Sequence, residues 1–188
     1  YEREILFQDK VKSGDIFLLS YKNPKHVISE LFLLMNFSHV GIAVWDKSNL
    51  YIVELCNYPV KYKGLSKIPF RDWCRFNKRA TILKSSLHVF QEEKRKELEE
   101  KILLFYQKLK QKLQTFPGGV DLNWWRFFFK FKYTKNINFS NITCTEVLAH
   151  LIDETEIAKR AKSLCSYHQS DFINLKGFHL NQDYRYMK

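Results

Sequence analysis

Short apolar runs bounded by turn residues fill the first half of the chain, and this pattern is typical of strands. The first run follows the turn pair Gly14-Asp15 and extends from Ile16 to Ser20. Later runs have the same character and are separated by polar turns. The predicted strands cover residues 16–20, 38–45, 51–56, 58–62 and 79–85.

Apolar positions at helical spacing predict helices in other parts of the chain. A short helix is expected over residues 26–35, and a turn with a short helix over 68–73. The clearest helix covers residues 91–114 and stops before Pro117-Gly118-Gly119. Its apolar stripe consists of Leu98, Ile102, Phe105, Tyr106, Leu109 and Leu113. No pattern predicts an element over residues 166–188.

The hairpin formed by the second and third predicted strands brings polar side chains to one face. Side chains alternate between the two faces of a strand, so His39 shares a face with Gly41, and Glu54 shares one with Cys56. If the turn over residues 46–49 has an even number of residues, Gly41 lies opposite Glu54. His39 then lies opposite Cys56 and diagonally adjacent to Glu54. An odd turn would place the histidine and the glutamate on opposite faces.

A single strand histidine is more often bonded to a backbone carbonyl than involved in chemistry. Glu54 carries more weight, because it stands among Ile52, Val53 and Leu55, and a buried carboxylate without a partner is costly. His39 is the nearest candidate partner. The two side chains together therefore form a candidate pair.

A helix with a cysteine in its first turn is predicted after residue 142. Thr143 followed by Glu146 and an apolar run is the pattern of a capping box, which makes Thr143 the N-cap and Cys144 the first helical residue. The positive end of the helix dipole favours a thiolate over a thiol at that position. A lone cysteine near a helix start is more often a packing residue. Its combination with His39 and Glu54 favours chemistry.

Composition limits the class of protein and its partners. The length of 188 residues and the hydrophobic content of 45% predict one compact domain over residues 1–188. The net charge of +11 favours anionic partners without choosing between nucleic acid and acidic lipid headgroups. No nucleic-acid recognition motif is present, so a nucleic-acid partner is disfavoured. The longest apolar run, residues 31–37, is too short to cross a bilayer.

Aromatic and basic residues alternate over residues 124–133. Such a segment is typical of a surface that stacks on bases or meets a lipid interface, and it is equally typical of an aromatic wall of a core or substrate groove. The candidate residues for substrate or membrane contact are Trp124, Trp125, Arg126, Phe128, Lys130 and Lys132.

The cysteines indicate neither a metal centre nor a disulfide framework. The four thiols are far apart in sequence and form no CxxC or zinc-finger spacing with histidine. We therefore expect no metal and no cofactor, and reduced thiols favour a cytoplasmic, reducing location.

A cysteine at a helix start, a histidine on a strand and a carboxylate on the next strand form the arrangement used in thiol acyl transfer. Cys144 would attack a carbonyl, His39 would move the proton, and Glu54 would orient the ring. The backbone N–H of the cysteine would help to hold the oxyanion. The reaction class follows from this arrangement, whereas the substrate stays open.

The chain also resembles a known family, the circularly permuted branch of the NlpC-type papain-like hydrolases. That branch includes YiiX-like proteins, relatives of lecithin retinol acyltransferase, and members from poxviruses and other large DNA viruses. The resemblance rests on Gly14-Asp15-Ile16, Ser38-His39-Val40-Gly41-Ile42, Val53-Glu54 and Thr143-Cys144-Thr145-Glu146-Val147-Leu148. It implies an α+β fold with a small antiparallel sheet packed against helices, and Cys144, His39 and Glu54 as the triad.

Two features depart from the family pattern. The element before the cysteine is reduced to Gly119-Val120-Asp121, and the segment over 124–133 is not a family hallmark. The resemblance implies a cysteine hydrolase or acyltransferase that acts on an amide or an ester, with lipid acyl groups among the candidate substrates. The alternative is an inactive member of the fold that binds lipids or anionic partners without turnover.

Overall fold

The computed structural model describes residues 8, 10–21, 39–56, 60–87, 92–114, 142–157, 172 and 178–181. The six strands within these residues form one antiparallel sheet in the order β4-β3-β2-β1-β5-β6. The strands are β1 (Ile16–Tyr21), β2 (His39–Asp46), β3 (Asn49–Cys56), β4 (Gly64–Pro69), β5 (Ala80–Leu87) and β6 (Phe178–Asn181). The α-helices are α1 (Phe70–Phe76), α2 (Glu92–Gln114) and α3 (Cys144–Thr155).

Each face of the sheet covers a separate hydrophobic core, because successive strand residues point to opposite faces. The first core lies between the sheet and helices α2 and α3, and Val40, Ile42 and Val44 of β2 enter it, as the period-two pattern predicts. The second core lies between the other face and α1. Its main members are Phe17, Leu19, Ala43, Ile52, Ile68, Phe70, Trp73 and Ile82. The predicted α+β class, with an antiparallel sheet packed against helices, is confirmed.

The hairpin between β2 and β3 closes with an even turn. Asp46 pairs with Asn49 and Trp45 pairs with Leu50, so Lys47 and Ser48 alone form the turn. Lys47 adopts a left-handed conformation with φ 58°. The predicted register of the hairpin is therefore confirmed, and it determines which side chains of the two strands share a face.

The strand predicted over residues 58–62 is wrong for residues 60–62, the part that the structure describes. Val60–Tyr62 is a 3-10 turn, and the strand begins two residues later at Gly64, whose φ of 93° starts it. The carbonyl of Tyr62 accepts hydrogen bonds from the Ser66 hydroxyl at 2.6 Å and the Cys56 thiol at 2.8 Å. These side-chain bonds satisfy the carbonyl without a strand partner, which is why the apolar run does not enter the sheet here.

The remaining helical and terminal predictions have different outcomes. The helix predicted over 91–114 is confirmed as α2. The short helix predicted within residues 68–73 is confirmed as α1, which begins after Pro69. Strand β6 was not predicted. The helix predicted over 26–35 lies outside the described residues. Among the helices described, none is long and apolar enough to cross a membrane.

A buried ion pair connects the turn before β1 to β5. Lys84 Nζ lies 3.0 Å from Asp15 Oδ2, and both side chains are only 4% exposed. Lys84 Nζ also donates to the carbonyl of Lys10 at 3.0 Å. The backbone of the same turn bonds to β2, since Gly14 N–H donates to the Ala43 carbonyl and Ala43 N–H donates to the Asp15 carbonyl. The turn thus fixes the middle of β2, the strand that begins at His39.

Candidate active site

The helix that carries Cys144 begins at a complete capping box. The hydroxyl of Thr143 accepts a hydrogen bond from the backbone N–H of Glu146 at 3.4 Å. In return the Glu146 carboxylate accepts hydrogen bonds from the Thr143 backbone N–H at 2.7 Å and from its hydroxyl at 2.9 Å. Cys144 is therefore the first residue of α3, as the capping pattern predicts. It is 8% exposed.

His39 and Glu54 lie together on one face of the hairpin. His39 Nε2 is 3.1 Å from Glu54 Oε2, with side-chain exposures of 16% and 4%. Among the described residues, Nε2 has no hydrogen-bond partner of good geometry, so the contact with the carboxylate is mainly an attraction of charges. The two residues nonetheless occupy the relative positions that the even turn predicts.

A second donor reaches the same carboxylate oxygen. The indole Nε1–H of Trp73, on α1, donates to Glu54 Oε2 at 2.7 Å in a buried hydrogen bond. Sequence reasoning missed this contact, because nothing in the pattern of residues 68–73 connects an indole to a strand 19 positions earlier. The carboxylate thus has the paired environment that a buried charge needs.

Gly41 provides the space in which the Glu54 side chain lies. A Cβ at position 41 would stand 2.7 Å from Ile52 Cγ2, 3.1 Å from Glu54 Oε2 and 3.3 Å from Glu54 Cβ. The first distance is shorter than real side chains tolerate, and the second is tight. The absence of a side chain at position 41 is therefore a condition for the observed position of the carboxylate.

Cys144 interacts with the same imidazole ring. Burial alone would lower the pKa of His39, because desolvation disfavours the charged ring. The charge of Glu54 and a side-chain hydrogen bond with Cys144 outweigh burial and raise the pKa of His39 well above 6.5. The imidazole is thus held between a thiol and a carboxylate, and the imidazolium form is favoured.

The three side chains connect the two cores of the protein. Cys144 belongs to the core beneath α2 and α3, whereas Glu54 is bound by Trp73 of the core beneath α1. His39 is the first residue of β2, and it contacts partners from both sides. The site therefore lies where the start of a strand meets the start of a helix.

Cys56 is a second thiol close to the carboxylate, on the same strand as Glu54. Burial is the main cause that raises its pKa to about 12, and the negative charge of Glu54 adds to it. Its thiol donates to the carbonyl of Tyr62 at 2.8 Å. Cys56 is thus held in its protonated form and is a structural thiol, in contrast to a nucleophile.

The structure brings together Cys144, His39 and Glu54, the three residues for which a catalytic role is predicted. The predicted substrate or membrane surface, which comprises Trp124, Trp125, Arg126, Phe128, Lys130 and Lys132, lies outside the described residues. The described cysteines, Cys56, Cys74 and Cys144, are free thiols.

Comparison with known proteins gives a fold and no family. No protein-family model matches the chain, and no curated protein matches it in sequence. Among solved structures, the chain is similar to the crystal structure of the metalloprotein YiiX from Escherichia coli O157:H7, a DUF1105 protein. The TM-score is 0.51 at 12% sequence identity, over 92% of this chain and 90% of that chain. The chain therefore has a YiiX-like fold, and membership of the permuted NlpC-type branch stays a prediction.

The YiiX structure is that of a metalloprotein. Within the described ranges, no group of three or more His, Cys, Asp or Glu side chains could hold a metal ion. His39 Nε2 and Glu54 Oε2 face each other at 3.1 Å, and Trp73 occupies the same oxygen. The described side chains at this site therefore do not fit a metal ion.

Proposed function

We propose that this protein is a thiol hydrolase or acyltransferase in which Cys144 is the nucleophile, His39 moves the proton and Glu54 orients the imidazole. The observation that carries the proposal is the position of one imidazole between two partners. Its Nε2 lies 3.1 Å from a buried carboxylate, and the ring shares a hydrogen bond with a thiol at a helix start. This is the combination of nucleophile, base and orienting group that thiol acyl transfer requires.

The reaction proceeds in two halves. The Cys144 thiolate attacks the carbonyl carbon of an amide or ester, and a C–S bond forms. The C–N or C–O bond to the leaving group then breaks as the imidazolium of His39 gives its proton to the departing amine or alcohol, which leaves a thioester. Water or another nucleophile then attacks the thioester, while His39 removes its proton. The second attack breaks the C–S bond and returns the thiolate. Glu54 orients the imidazole and stabilises the imidazolium in both halves.

The start of α3 supplies a hydrogen-bond donor for the oxyanion. The first backbone N–H groups of a helix have no partner within the helix, and they carry the positive end of its dipole. The N–H of Cys144 therefore has the position to stabilise the oxyanion that forms when its own sulfur attacks a carbonyl. The capping box fixes this first turn, which holds the sulfur and the N–H in one arrangement.

The resemblance and the net charge of the chain support one substrate class. We extend the proposal to acyl groups of lipids, with peripheral contact between the segment over 124–133 and a membrane that bears anionic headgroups. Neutralising Arg126, Lys130 and Lys132 should weaken sedimentation of the protein with vesicles of phosphatidylserine and phosphatidylcholine. The Cys144→Ala variant, which keeps the three charges, should bind these vesicles as the wild type does. Binding that ignores the three charges would reject the membrane part of the proposal alone.

Selective labelling of the thiol tests the chemistry. Wild-type protein is treated with iodoacetamide at pH 6 and with a panel of acyl electrophiles, and the modified residue is mapped by mass spectrometry. We expect Cys144 to react at least about tenfold faster than an ordinary exposed cysteine under the same conditions, because it is the nucleophile of the proposed reaction. Cys56 is the internal control, since it is as buried as Cys144, at 7% against 8%, and its pKa is about 12.

The variants divide the possible outcomes. His39→Gln should slow labelling of Cys144, and Cys144→Ala should abolish turnover of any acyl substrate found in the panel. A Cys144 that labels no faster than an ordinary cysteine, or a Cys144→Ala variant that keeps full activity, would reject the enzyme and favour a binding module with the same fold.

A further inference from the structure

Helix α1 contributes one fully buried aromatic side chain to the face of the sheet that carries Glu54. Trp73 is 0% exposed, and its Nε1–H donates to Glu54 Oε2 at 2.7 Å. This is the same oxygen that lies 3.1 Å from His39 Nε2. One carboxylate atom is thus shared between an indole and the imidazole.

The indole itself has little freedom to move. The ring of Phe17 meets it edge-on with centroids 5.3 Å apart, and the ring of Phe70 stacks on it at 6.0 Å. One contact comes from β1 and the other from the first turn of α1. Because buried aromatic rings in such contacts are fixed by close packing, the direction of the indole N–H is fixed as well.

The other neighbours of the carboxylate hold it less firmly. His39 Nε2 has no well-aligned hydrogen bond among the described residues, so its attraction to Glu54 does not set the direction of the carboxylate. The thiol of Cys56 has one proton and donates it to the carbonyl of Tyr62 at 2.8 Å. The strong, aligned donor to Glu54 is therefore the indole.

We propose that Trp73 is a positioning residue of the thiol reaction, which fixes Glu54 Oε2 opposite the imidazole of His39 through its indole N–H. The inference rests on the proposed function of Cys144 and His39 as a reacting pair. Trp73 acts through Glu54 and touches no substrate. Without its N–H, the carboxylate loses its aligned donor and rotates away from the ring, and the imidazolium loses part of its stabilisation.

A residue that only fills the core would behave differently from a positioning residue. Replacing such a residue would lower stability and leave the properties of His39 unchanged. The discriminating measurement is therefore the pH titration of His39 in the intact chain, monitored by NMR of its ring. The groups that face this ring are Glu54 and Cys144, with Cys56 beside the carboxylate.

The main variant is Trp73→Phe, which keeps an aromatic ring and removes the N–H. The matched control is Phe70→Leu, which disturbs the same aromatic cluster and leaves the N–H in place. If Trp73→Phe folds poorly, benzothienylalanine at position 73 replaces N–H by sulfur at nearly constant shape. We expect loss of the N–H to move the His39 titration to lower pH and to slow iodoacetamide labelling of Cys144 about tenfold, the equivalent of one hydrogen bond to a charged group. Phe70→Leu should change the labelling rate by less than about twofold and leave the His39 titration in place.

The outcomes separate this inference from the proposed function. Fast labelling of wild-type Cys144, with an unchanged His39 titration in both N–H-free variants, overturns the role of Trp73 and leaves the enzyme proposal standing. Slow labelling of wild-type Cys144 counts against the enzyme proposal. In that case a shifted His39 titration still supports Trp73 as the residue that positions Glu54, and an unshifted one still overturns it.

Discussion

Adding one methyl group at Gly41 tests the geometry of the whole site. In Gly41→Ala the new Cβ meets Ile52 Cγ2 at 2.7 Å and Glu54 Oε2 at 3.1 Å. Ile52 is 0% exposed in the core beneath α1, and its Cγ2 is attached directly to the Cβ, so it has little room to retreat. Glu54 therefore has to give by a few tenths of an ångström as well, and its contact with His39 at 3.1 Å is disturbed.

The size of the effect follows from two opposing contributions. Overpacking a well-filled core by one methyl costs about 1–3 kcal/mol. Gly41 lies within β2, so an alanine adopts its backbone conformation, and the smaller freedom of the unfolded chain returns about 0.4–1 kcal/mol. The expected loss of unfolding free energy is thus about 0–2.6 kcal/mol, with its middle at about 1.3 kcal/mol. A substitution in an exposed strand would instead be neutral or stabilising.

Urea denaturation and the His39 titration give the two readouts. We expect a lower midpoint of unfolding and a His39 titration shifted to lower pH, because the carboxylate that stabilises the imidazolium is displaced. Ile52→Ala serves as the partner variant, since it removes the atom that the new methyl meets. The loss of unfolding free energy in the double variant should be at least about 0.5 kcal/mol smaller than the sum of the losses in the two single variants, because the two groups are in direct contact.

Two results would refute the reasoning. Additive losses in the double variant would mean that the methyl does not meet Ile52. A Gly41→Ala protein as stable as the wild type, with an unchanged His39 titration, would mean that the carboxylate does not depend on the space beside it.

Other predictions address pH, the helix cap and the buried ion pair. Because the folded pKa of His39 is raised, its stabilisation is complete below its unfolded pKa and is lost as pH rises through the folded pKa; the advantage of the wild type over His39→Gln in urea should therefore be largest below pH 6.5 and shrink as pH rises through the raised folded pKa. Thr143→Ala should cost about 1 kcal/mol, while Thr143→Ser costs less, because Ser keeps the hydroxyl that caps Glu146; equal losses in thermal unfolding would contradict the cap. Lys84→Met should cost about 3 kcal/mol by leaving Asp15 without its cation, and a neutral result would show that the pair contributes little.

The features of the site that sequence predicted are the ones with a local or periodic basis. The capping box joins Thr143 to a residue three positions away, so its pattern is readable directly. The approach of His39 to Glu54 follows from strand alternation and from the parity of a short turn. Both inferences need only one or two neighbouring elements.

The features that sequence did not predict depend on tertiary packing. Trp73 reaches Glu54 across 19 positions, and Lys84 reaches Asp15 across 69, without any spacing that connects either pair. A strand was expected over 58–62 and β4 over Gly64–Pro69 was missed, because a thiol and a hydroxyl satisfy the carbonyl of Tyr62 and the sequence carries no sign of such bonds.

The ion pair between Lys84 and Asp15 also acts against misalignment of the sheet. A slip of β5 by one residue along β1 would turn Lys84 towards the apolar side chains of the core beneath α2 and α3. Asp15 would then remain on the other face without its cation. An uncompensated buried charge costs several kcal/mol, which is a large part of the stability of a domain. The charged lysine thus favours the observed register of β5 and β1 over the register slipped by one residue. The observed register also holds the loop of Gly14 and Asp15 in its hydrogen bonds with Ala43.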